Sequence, residues 1–316
     1  MSHLAVLTSG GDAPGMNASL RAIVRSATNN SMKVYGVSNG FEGLIDDRFS
    51  ELKPRQVGTI IQRGGSILQT SRSKRFLDKN YRDKARANLS KRNIGSVIVI
   101  GGEGSLKGAR CLGEDGNINV LGIPATIDRD IPSVGPTIGF DTAINTALQA
   151  IDRIRDTAST SNTVHIIELM GRNCGWISLF AGIGGGAEAV ILPEFPTDIK
   201  KLAVQIKEQR SSGKQGCILI VSEGAYNTLG GEGLIEDLNK VSNFDLRITK
   251  LGHIQRGGNP SAVDRVLASR LGAGAVEGFL ADNNRCVVAQ PNSNVEMIPF
   301  DELSGTLNSE LEDYYR

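Results

Sequence analysis

Short runs of apolar, β-branched residues recur along the chain, and each is followed by glycine-rich sequence and then by a helical pattern. These runs cover residues 3–8, 96–100, 164–169 and 217–222. Runs such as SVIVI and GCILIV do not alternate with polar residues, which is typical of strands covered on both faces. The pattern predicts βαβ units, and therefore an α/β fold with mainly parallel sheets flanked by helices.

One helix is especially clear in the pattern. Over residues 141–155, Ile144, Leu148, Ile151 and Ile154 follow one another at three- and four-residue spacings. Such spacing places all four side chains on one face of a helix. We therefore predict an amphipathic crossover helix between two strands.

The sequence that follows the apolar runs carries most of the polar chemistry. The runs at 3–8, 96–100 and 164–169, and a further run near 120–123, are followed by TSGGDAPGMN, GGEGS, MGRNCG and PATIDRD, respectively. In open parallel sheets, ligands bind at the carboxyl ends of the strands, where these loops lie. We expect the functional residues in these loops.

Length and charge limit the class of protein. A chain of 316 residues with 40% hydrophobic content suits two domains, and no flexible linker separates them. The formal net charge of +1 provides no general attraction for nucleic acid or an anionic membrane. Any affinity for phosphate must therefore be local.

Cysteine usage and the first residues indicate the compartment. The four cysteines are scattered without a CxxC pair, and there are only three histidines, which argues against a disulfide framework or a zinc site. The segment MSHLAVLTSGGD has no basic flank followed by a long apolar stretch. We predict a cytoplasmic protein with reduced thiols.

Two glycine-rich loops suit phosphate. Gly10 and Gly11 follow a strand and precede a helix, so that backbone N–H groups and the helix dipole can face an anion. GGEGS repeats this arrangement and adds Glu103 as an oxygen ligand for magnesium. Most such loops are simple tight turns, and this alternative stays open for each loop by itself.

PATIDRD carries an acid–base candidate. Thr126, Asp128 and Asp130 alternate, so an extended segment would point all three side chains to one face. One carboxylate could accept the proton of an attacking hydroxyl while another acts on a metal ion. The alternative is a solvated turn with helix-capping aspartates.

Arginines in glycine-rich or loop-like sequence form the third group of candidates. LGHIQRGGNP places His253 and Arg256 three residues apart, and Arg72, Arg172 and Arg247 lie in similar surroundings. The guanidinium group matches phosphate oxygens and can neutralise a transferring phosphoryl group. For any single arginine, a surface salt bridge is the competing explanation.

The ordered series TSGGDAPGMNA, GGxGS, PxTIDxD, GFDTA, MGRNCG and LGHxQRGGxPxxxDR resembles the bacterial ATP-dependent 6-phosphofructokinase family. The resemblance spans nearly the whole chain. It implies transfer of the terminal phosphoryl group of ATP, with Mg²⁺, to the 1-hydroxyl of fructose 6-phosphate. It also implies a homotetramer with sites between domains and at subunit borders.

The resemblance further implies two unequal Rossmann-like domains, the phosphofructokinase fold. The larger, nucleotide-binding domain would contain residues 1–140 and 257–303. The smaller, sugar-phosphate-binding domain would contain residues 141–256 and 304–316.

Catalytic roles follow from the same resemblance. Asp128 would be the general base, Thr126 and Asp130 would support the transferred phosphate and its metal, and Arg172 would stabilise the transition state. A backbone donor from Gly11 would reach that phosphate, as would Arg72.

Binding roles follow in the same way. The residues implied to hold the sugar phosphate, besides Thr126, Asp128 and Arg172, are Met170, Gly171, Glu223, His253, Arg256 and, from a neighbouring subunit, Arg247. The residues implied to line the nucleotide pocket, besides Gly11 and Arg72, are Phe41, Ser73, Gly102, Glu103, Gly104, Ser105 and Gly108.

Two positions favour ATP as the donor. Relatives that use pyrophosphate carry aspartate where this chain has Gly104 and lysine where it has Ala125. An aspartate at position 104 would intrude on the α-phosphate of a nucleotide.

Three positions depart from the family pattern. Glu103 replaces an aspartate, Arg129 replaces an asparagine, and Thr163 replaces an arginine that would bind the sugar phosphate. Arg129 would either lower the pKa of the base or pair with phosphate. Loss of one charge-assisted contact at Thr163 predicts weaker affinity for fructose 6-phosphate, by about 1.5 to 3 kcal/mol.

The positions of the family's effector site are mixed. Those that match a site for ADP or phosphoenolpyruvate are Arg21, Arg25, Arg155, Glu188 and Lys214. Pro54, Thr59 and Ser212 replace charged residues there. Ion pairs at a tetramer interface would explain the same arginines equally well.

Two alternatives to an active ATP-dependent enzyme stay open. The departures at 103, 129 and 163 would also suit a catalytically weak paralogue with a regulatory or binding role. A kinase that uses pyrophosphate, or that phosphorylates another sugar phosphate, is the other alternative.

Overall fold

The computed structural model describes residues 3–116, 118–160, 163–213, 216–230, 233, 234, 236, 238, 240, 245–303 and 308–315. The chain forms two compact units. The first unit comprises Met1–Thr142 and Arg256–Leu307, and the second comprises Ala143–Gln255 and Asn308–Arg316. The assignment of nucleotide and sugar phosphate to separate domains stays a prediction.

The strands in chain order are β1 His3–Ser9, β2 Lys33–Val37, β3 Phe49–Leu52, β4 Ile94–Gly101, β5 Asn119–Pro124, β6 Thr163–Leu169, β7 Ala189–Ile191, β8 Cys217–Ser222, β9 Asp245–Lys250, β10 Cys286–Ala289 and β11 Glu296–Pro299. The α-helices, labelled over the described residues, are α1 Met16–Asn29, α2 Gly40–Ile45, α3 Lys79–Ser90, α4 Glu103–Glu114, α5 Phe140–Thr160, α6 Trp176–Gly184, α7 Ile199–Ser211, α8 Glu223–Thr228, α9 Ala262–Leu280 and α10 Asn308–Tyr315.

Both units are built on parallel sheets. The first unit has the strand order β11-β10-β5-β4-β1-β2-β3, in which only the edge strands β3 and β11 pair antiparallel. The second unit has the order β7-β8-β6-β9, and all its pairs are parallel. The predicted α/β class with mainly parallel sheets is confirmed.

The apolar runs form the centres of these sheets. Val97, Ile98, Val99 and Ile100 of β4 are fully buried, as expected for a strand covered on both faces. The predicted helix at 141–155 is also present, and it is longer at both ends, as α5 Phe140–Thr160. The helix continues because no glycine or proline follows residue 155 to stop it.

The registers align the strand ends. In the first unit, Gly101 is paired with Ser9 on one side and with Pro124 on the other. The loops after β1, β4 and β5 therefore leave the sheet at one level.

A buried carboxylate fixes the segment that leads into α5. Asp264 of α9 is 1% exposed, and it accepts hydrogen bonds from Gly139 N and Thr142 N, both at 2.8 Å, and from the Thr142 hydroxyl. Burial raises the pKa of Asp264, while the donations from Thr142 and Gly139 oppose that rise. The carboxylate joins two segments that are distant in the sequence.

Replacing Asp264 by alanine is expected to lower the free energy of unfolding by about 3 kcal/mol or more, because three buried donors lose their acceptor. Urea denaturation followed by circular dichroism measures the change. Asp152→Ala, at an exposed position of α5, is the control and should shift stability by less than about 0.5 kcal/mol. Equal midpoints for the two variants would contradict the structural role of Asp264.

Candidate active site

Three loops of the first unit meet at the carboxyl ends of β1, β4 and β5. Ala125 N donates to Gly101 O at 3.0 Å. A Cβ on Gly102 would lie 3.4 Å from Thr126 Cβ, and one on Gly10 would lie 3.0 Å from Ser105 Oγ. The TIDRD segment thus adjoins the GGEGS turn, as the proposed chemistry requires.

The first glycine loop also adjoins the segment that carries Arg72 and Ser73. Gly10 has a φ of 86°, in the left-handed region that favours glycine, and its N–H donates to Ser71 O at 3.1 Å. The Ser71 hydroxyl in turn donates to Asn39 O at 2.6 Å. Sequence reasoning assigned no role to Ser71, although it directly precedes two predicted nucleotide-binding residues.

The predicted nucleotide residues on α2 and α4 lie against one another. Phe41 is buried, and its ring stacks on that of Phe76 with centroids 4.0 Å apart. A Cβ on Gly108 would lie only 2.9 Å from the Phe41 ring, so α4 approaches α2 closely at this glycine. This contact brings Phe41 and Gly108 together.

Ser73 is held by a charged pair beside Phe41. Its hydroxyl donates to Glu42, which also accepts from Arg75. The Arg75 hydrogen bond lowers the pKa of Glu42, against the effect of its burial. Glu42 therefore connects α2 to the segment containing Arg72, which is itself exposed.

The TIDRD segment bends, so the prediction of an extended segment with alternating side chains is wrong. The Asp128 N–H donates to Thr126 Oγ1 at 3.2 Å, and Arg129 has a φ of 50°. A hydroxyl that bonds the backbone two residues on favours a turn over an extended strand. The turn is not solvated at the predicted base, because Asp128 is only 1% exposed.

Arg256 lies beside the predicted base. Its Nη2 is 3.8 Å from Asp128 Oδ2, and its Nη1 donates to Asp12 O at 3.3 Å. A Cβ on Gly11 would lie 2.7 Å from Arg256 Nη1, so the guanidinium group packs closely against this glycine. Because Arg256 and Asp128 are both buried, each compensates the other's charge.

The two departures in this unit have defined surroundings. The ammonium group of Lys107 lies 2.6 Å from Glu103 Oε1, one helical turn away, and both side chains are about half exposed or more, at 71% and 51%. The guanidinium group of Arg129 lies over the Phe140 ring, 5.6 Å from its centroid. The two predicted effects of Arg129 on the base and on phosphate stay predictions.

Glu103 suits a magnesium ion that is held mainly by nucleotide phosphates. Magnesium commonly takes one or two carboxylates together with phosphate oxygens and water. Among the described residues no group of three or more acidic, histidine or cysteine side chains could hold a metal by itself. The exposed carboxylate of Glu103, on the first turn of α4, fits the shared arrangement.

The loops of the second unit collect a different set of predicted residues. Met170, Gly171 and Arg172 follow β6, and Glu223 follows its neighbour β8. Arg172 N donates to Glu223 Oε2 at 3.2 Å. His253 follows β9, the other neighbour of β6, and it is exposed.

Arg247 does not join this loop cluster, because it lies within β9. It donates to Asp245 at 3.2 Å and stands in register with His165 of β6. Burial lowers the pKa of His165, helped by the nearby Arg247 and opposed by Asp245. Thr163, the third departure, pairs with Asp245 at the start of the two strands and is buried.

Two of the predicted effector residues lie together in the second unit. Arg155 Nη2 donates to Gly185 O and Gly186 O at 2.7 and 2.6 Å, and its Nη1 lies 3.7 Å from Glu188 Oε1. Arg21 and Arg25 lie on α1 of the first unit. Lys214 falls outside the described residues. The effector site stays a prediction.

Sequence reasoning missed two carboxylates that organise these loops. Asp264 fixes the start of α5, and Glu194 accepts the Gly175 N–H at 2.7 Å. Asp264 is the aspartate of the LGHxQRGGxPxxxDR motif, so the sequence alone could have identified it as a candidate. Glu194 stands nineteen residues after Gly175, and no local pattern connects them.

Residues 3–279 match the family model described as Phosphofructokinase. The chain belongs to the phosphofructokinase family. This confirms the resemblance drawn from the motifs.

Curated relatives of the phosphofructokinase family cover nearly the whole chain. The chain is 47% identical over 309 residues to the ATP-dependent 6-phosphofructokinase of Staphylococcus epidermidis, covering 98% of this chain and 95% of the relative. It is 46% identical over 302 residues to ATP-dependent 6-phosphofructokinase 1 of Thermus thermophilus, covering 96% and 94%.

Solved phosphofructokinases share the fold. The structure of phosphofructokinase from Saccharomyces cerevisiae matches with a TM-score of 0.91 and 29% identity, over 100% of this chain and 47% of that one. A pyrophosphate-dependent phosphofructokinase from Marinobacter aquaeolei matches with a TM-score of 0.83 at 22% identity, over 100% and 91%. The second likeness concerns the fold alone.

Over the described part of the chain, no helix is both long enough and apolar enough to span a membrane.

Proposed function

We propose that this protein is an ATP-dependent 6-phosphofructokinase, which transfers the terminal phosphoryl group of ATP to the 1-hydroxyl of fructose 6-phosphate in glycolysis. Near full-length identity to curated enzymes of that activity supports the reaction. The structural observation that carries the proposal is the buried Asp128, which lies beside Arg256 where the loops after β1, β4 and β5 meet.

In the proposed reaction, Asp128 accepts the proton of the sugar 1-hydroxyl as that oxygen forms a bond to the γ-phosphorus. The bond from this phosphorus to the oxygen bridging to the β-phosphate breaks, and ADP leaves. The guanidinium group of Arg172 would stabilise the charge on the transferring group. Arg256 lies beside Asp128, and its guanidinium group packs against Gly11.

The remaining site residues would bind the substrates. In the first unit, Thr126 would support the transferred phosphate, and the residues that would hold ATP are Gly11, Phe41, Arg72, Ser73, Gly102, Glu103, Gly104, Ser105 and Gly108. In the second unit, Met170, Gly171, Glu223 and His253 would hold the sugar, with Arg247 reaching its phosphate from a neighbouring subunit. Arg256 of the first unit would also bind the sugar phosphate. A bound Mg²⁺ would neutralise phosphate charge, and Glu103 and Asp130 would hold or orient it.

The finer assignments belong to the same proposal. We infer a cytoplasmic homotetramer that responds to ADP or phosphoenolpyruvate through Arg155, Glu188 and their predicted partners. The contact between Arg155 and Glu188 supports a charged site but also suits an interface ion pair.

A coupled assay with purified protein tests the function directly. Turnover with ATP and fructose 6-phosphate is the expected result. A protein that binds ATP without turnover would favour the catalytically weak paralogue. Faster turnover with pyrophosphate, or with tagatose or sedoheptulose phosphate, would favour the other alternative.

Asp128→Ala is expected to lower kcat by several orders of magnitude and to leave fructose 6-phosphate binding within a small factor, because a base acts mainly in the transition state. Steady-state kinetics and calorimetry measure the two quantities. Asp152→Ala is again the control and should match the native enzyme. Retained turnover in Asp128→Ala would show that the base is wrongly assigned.

Gly104→Asp tests the donor. A Cβ at this position meets no atom within 4 Å, so the variant should fold normally. Its carboxylate would repel the nucleotide's phosphates, and the KM for ATP should rise at least about tenfold. Gly95→Asp is a matched control, because its Cβ also meets nothing within 4 Å and it lies near the opposite end of β4. Unchanged ATP kinetics in Gly104→Asp would place the nucleotide elsewhere.

Thr163→Arg tests the predicted weakening of sugar-phosphate affinity. Restoring one charge-assisted contact should tighten fructose 6-phosphate binding about tenfold. Calorimetry measures both dissociation constants, with Thr163→Val as the uncharged control. A submicromolar dissociation constant for the native protein would overturn the prediction.

A further inference from the structure

The segment of residues 170–175, here named the arginine loop, has a backbone that needs support. Arg172 has a φ of 51° and Gly171 a φ of 144°. Cys174 N donates to Gly171 O at 2.9 Å, closing a tight turn. A non-glycine residue in the left-handed region costs about 1 to 3 kcal/mol and persists only where its surroundings hold it.

Two carboxylates accept hydrogen bonds from the arginine loop, one near its middle and one at its last residue. Glu223 Oε2 accepts the Arg172 N–H at 3.2 Å, and Glu194 Oε1 accepts the Gly175 N–H at 2.7 Å. Glu223 already has an expected role at the sugar. Glu194 has none, yet its hydrogen bond is the shorter of the two.

Close packing against neighbouring residues restricts movement of the arginine loop backbone. A Cβ on Gly224 would clash with Arg172 O and would lie 3.2 Å from Pro193 Cβ. A Cβ on Gly175 would lie 2.8 Å from Glu194 Oε2. The loop therefore packs against residues 192–194 and 223–224. The Gly175 N–H is bonded by Glu194, while Gly175 O accepts from Leu179 N of α6.

Burying the carboxyl group of Glu194 costs free energy of folding. Its Oε2 is buried without a hydrogen-bond partner in the described structure. Burial raises the pKa of Glu194, although the Gly175 N–H opposes the rise. Since an apolar side chain could fill the same space more cheaply, the carboxyl group is explained better by what it positions.

We propose that Glu194 is a positioning residue for phosphoryl transfer, which acts by holding the Gly175 end of the arginine loop so that Arg172 keeps its strained conformation. This inference rests on the proposed function. Glu194 acts through the loop backbone and does not itself touch substrate. Because a displacement of about 1 Å in a catalytic group can cost about a hundredfold in rate, release of this anchor lowers kcat.

The first experiment compares three single variants. Glu194→Met keeps the side-chain length but lacks the acceptor, and its kcat should fall about tenfold to a hundredfold with the KM for ATP within about twofold. Glu194→Gln keeps an oxygen for the Gly175 N–H and should restore kcat to within about threefold of native. Glu208→Ala, at an exposed position of α7 in the same unit, is the matched control and should leave both constants unchanged.

A double-mutant cycle separates positioning from a general structural defect. If Glu194 acts through Arg172, adding Glu194→Met to Arg172→Ala should lower kcat by less than about twofold further. A full additional tenfold loss in the double variant would overturn the proposal. Native-like kcat in folded Glu194→Met would overturn it too, as would a kcat for Glu194→Gln as low as that for Glu194→Met.

Two controls keep the outcomes distinct. Circular dichroism and thermal unfolding show whether each variant is folded. Should Glu194→Met not fold, Glu194→Gln decides: its kcat should stay within about threefold of native, and a larger loss would overturn the proposal. A native enzyme without phosphofructokinase turnover would sink the proposed function, whereas an active native enzyme indifferent to residue 194 would sink only this inference.

Discussion

The alignment of parallel strands is the constraint on which both sets of functional residues depend. Backbone hydrogen bonds hold neighbouring strands about 4.8 Å apart, and in a parallel pair all the carboxyl ends point the same way. Because Gly101 is in register with Ser9 and Pro124, the loops that follow must meet. The same argument brings the loops after β6 and β8 together, where Leu169 pairs with Ser222.

Within these sheets, buried carboxylates position several of the loops. Each carboxylate accepts a hydrogen bond or lies beside a cation that offsets the cost of its burial. Asp128 lies beside the Arg256 guanidinium, and Asp264 accepts three hydrogen bonds at the start of α5. Buried charges are costly unless paired or hydrogen-bonded, so each carboxylate is tied to one local conformation. Glu194 also accepts a hydrogen bond, from the Gly175 N–H, and its other carboxylate oxygen is buried without a hydrogen-bond partner in the described structure.

The departures from the family pattern show how neighbours determine what a substitution does. Glu103 meets Lys107 on the next turn of α4, and the Arg129 guanidinium lies over Phe140. Each of the two substituted residues therefore has a charged or aromatic neighbour of its own in the first unit.

The sequence by itself determined the fold class, several central strands, the helix at 141–155 and the family, because these depend on periodic burial and on motifs of contiguous residues. It also indicated which loops carry the chemistry, since they directly follow the apolar runs. Only the tertiary structure decided that TIDRD bends at Arg129, that Arg256 lies against Asp128, and that Glu194 supports Gly175. These depend on side-chain direction and on contacts between distant segments, which no local pattern of residues records.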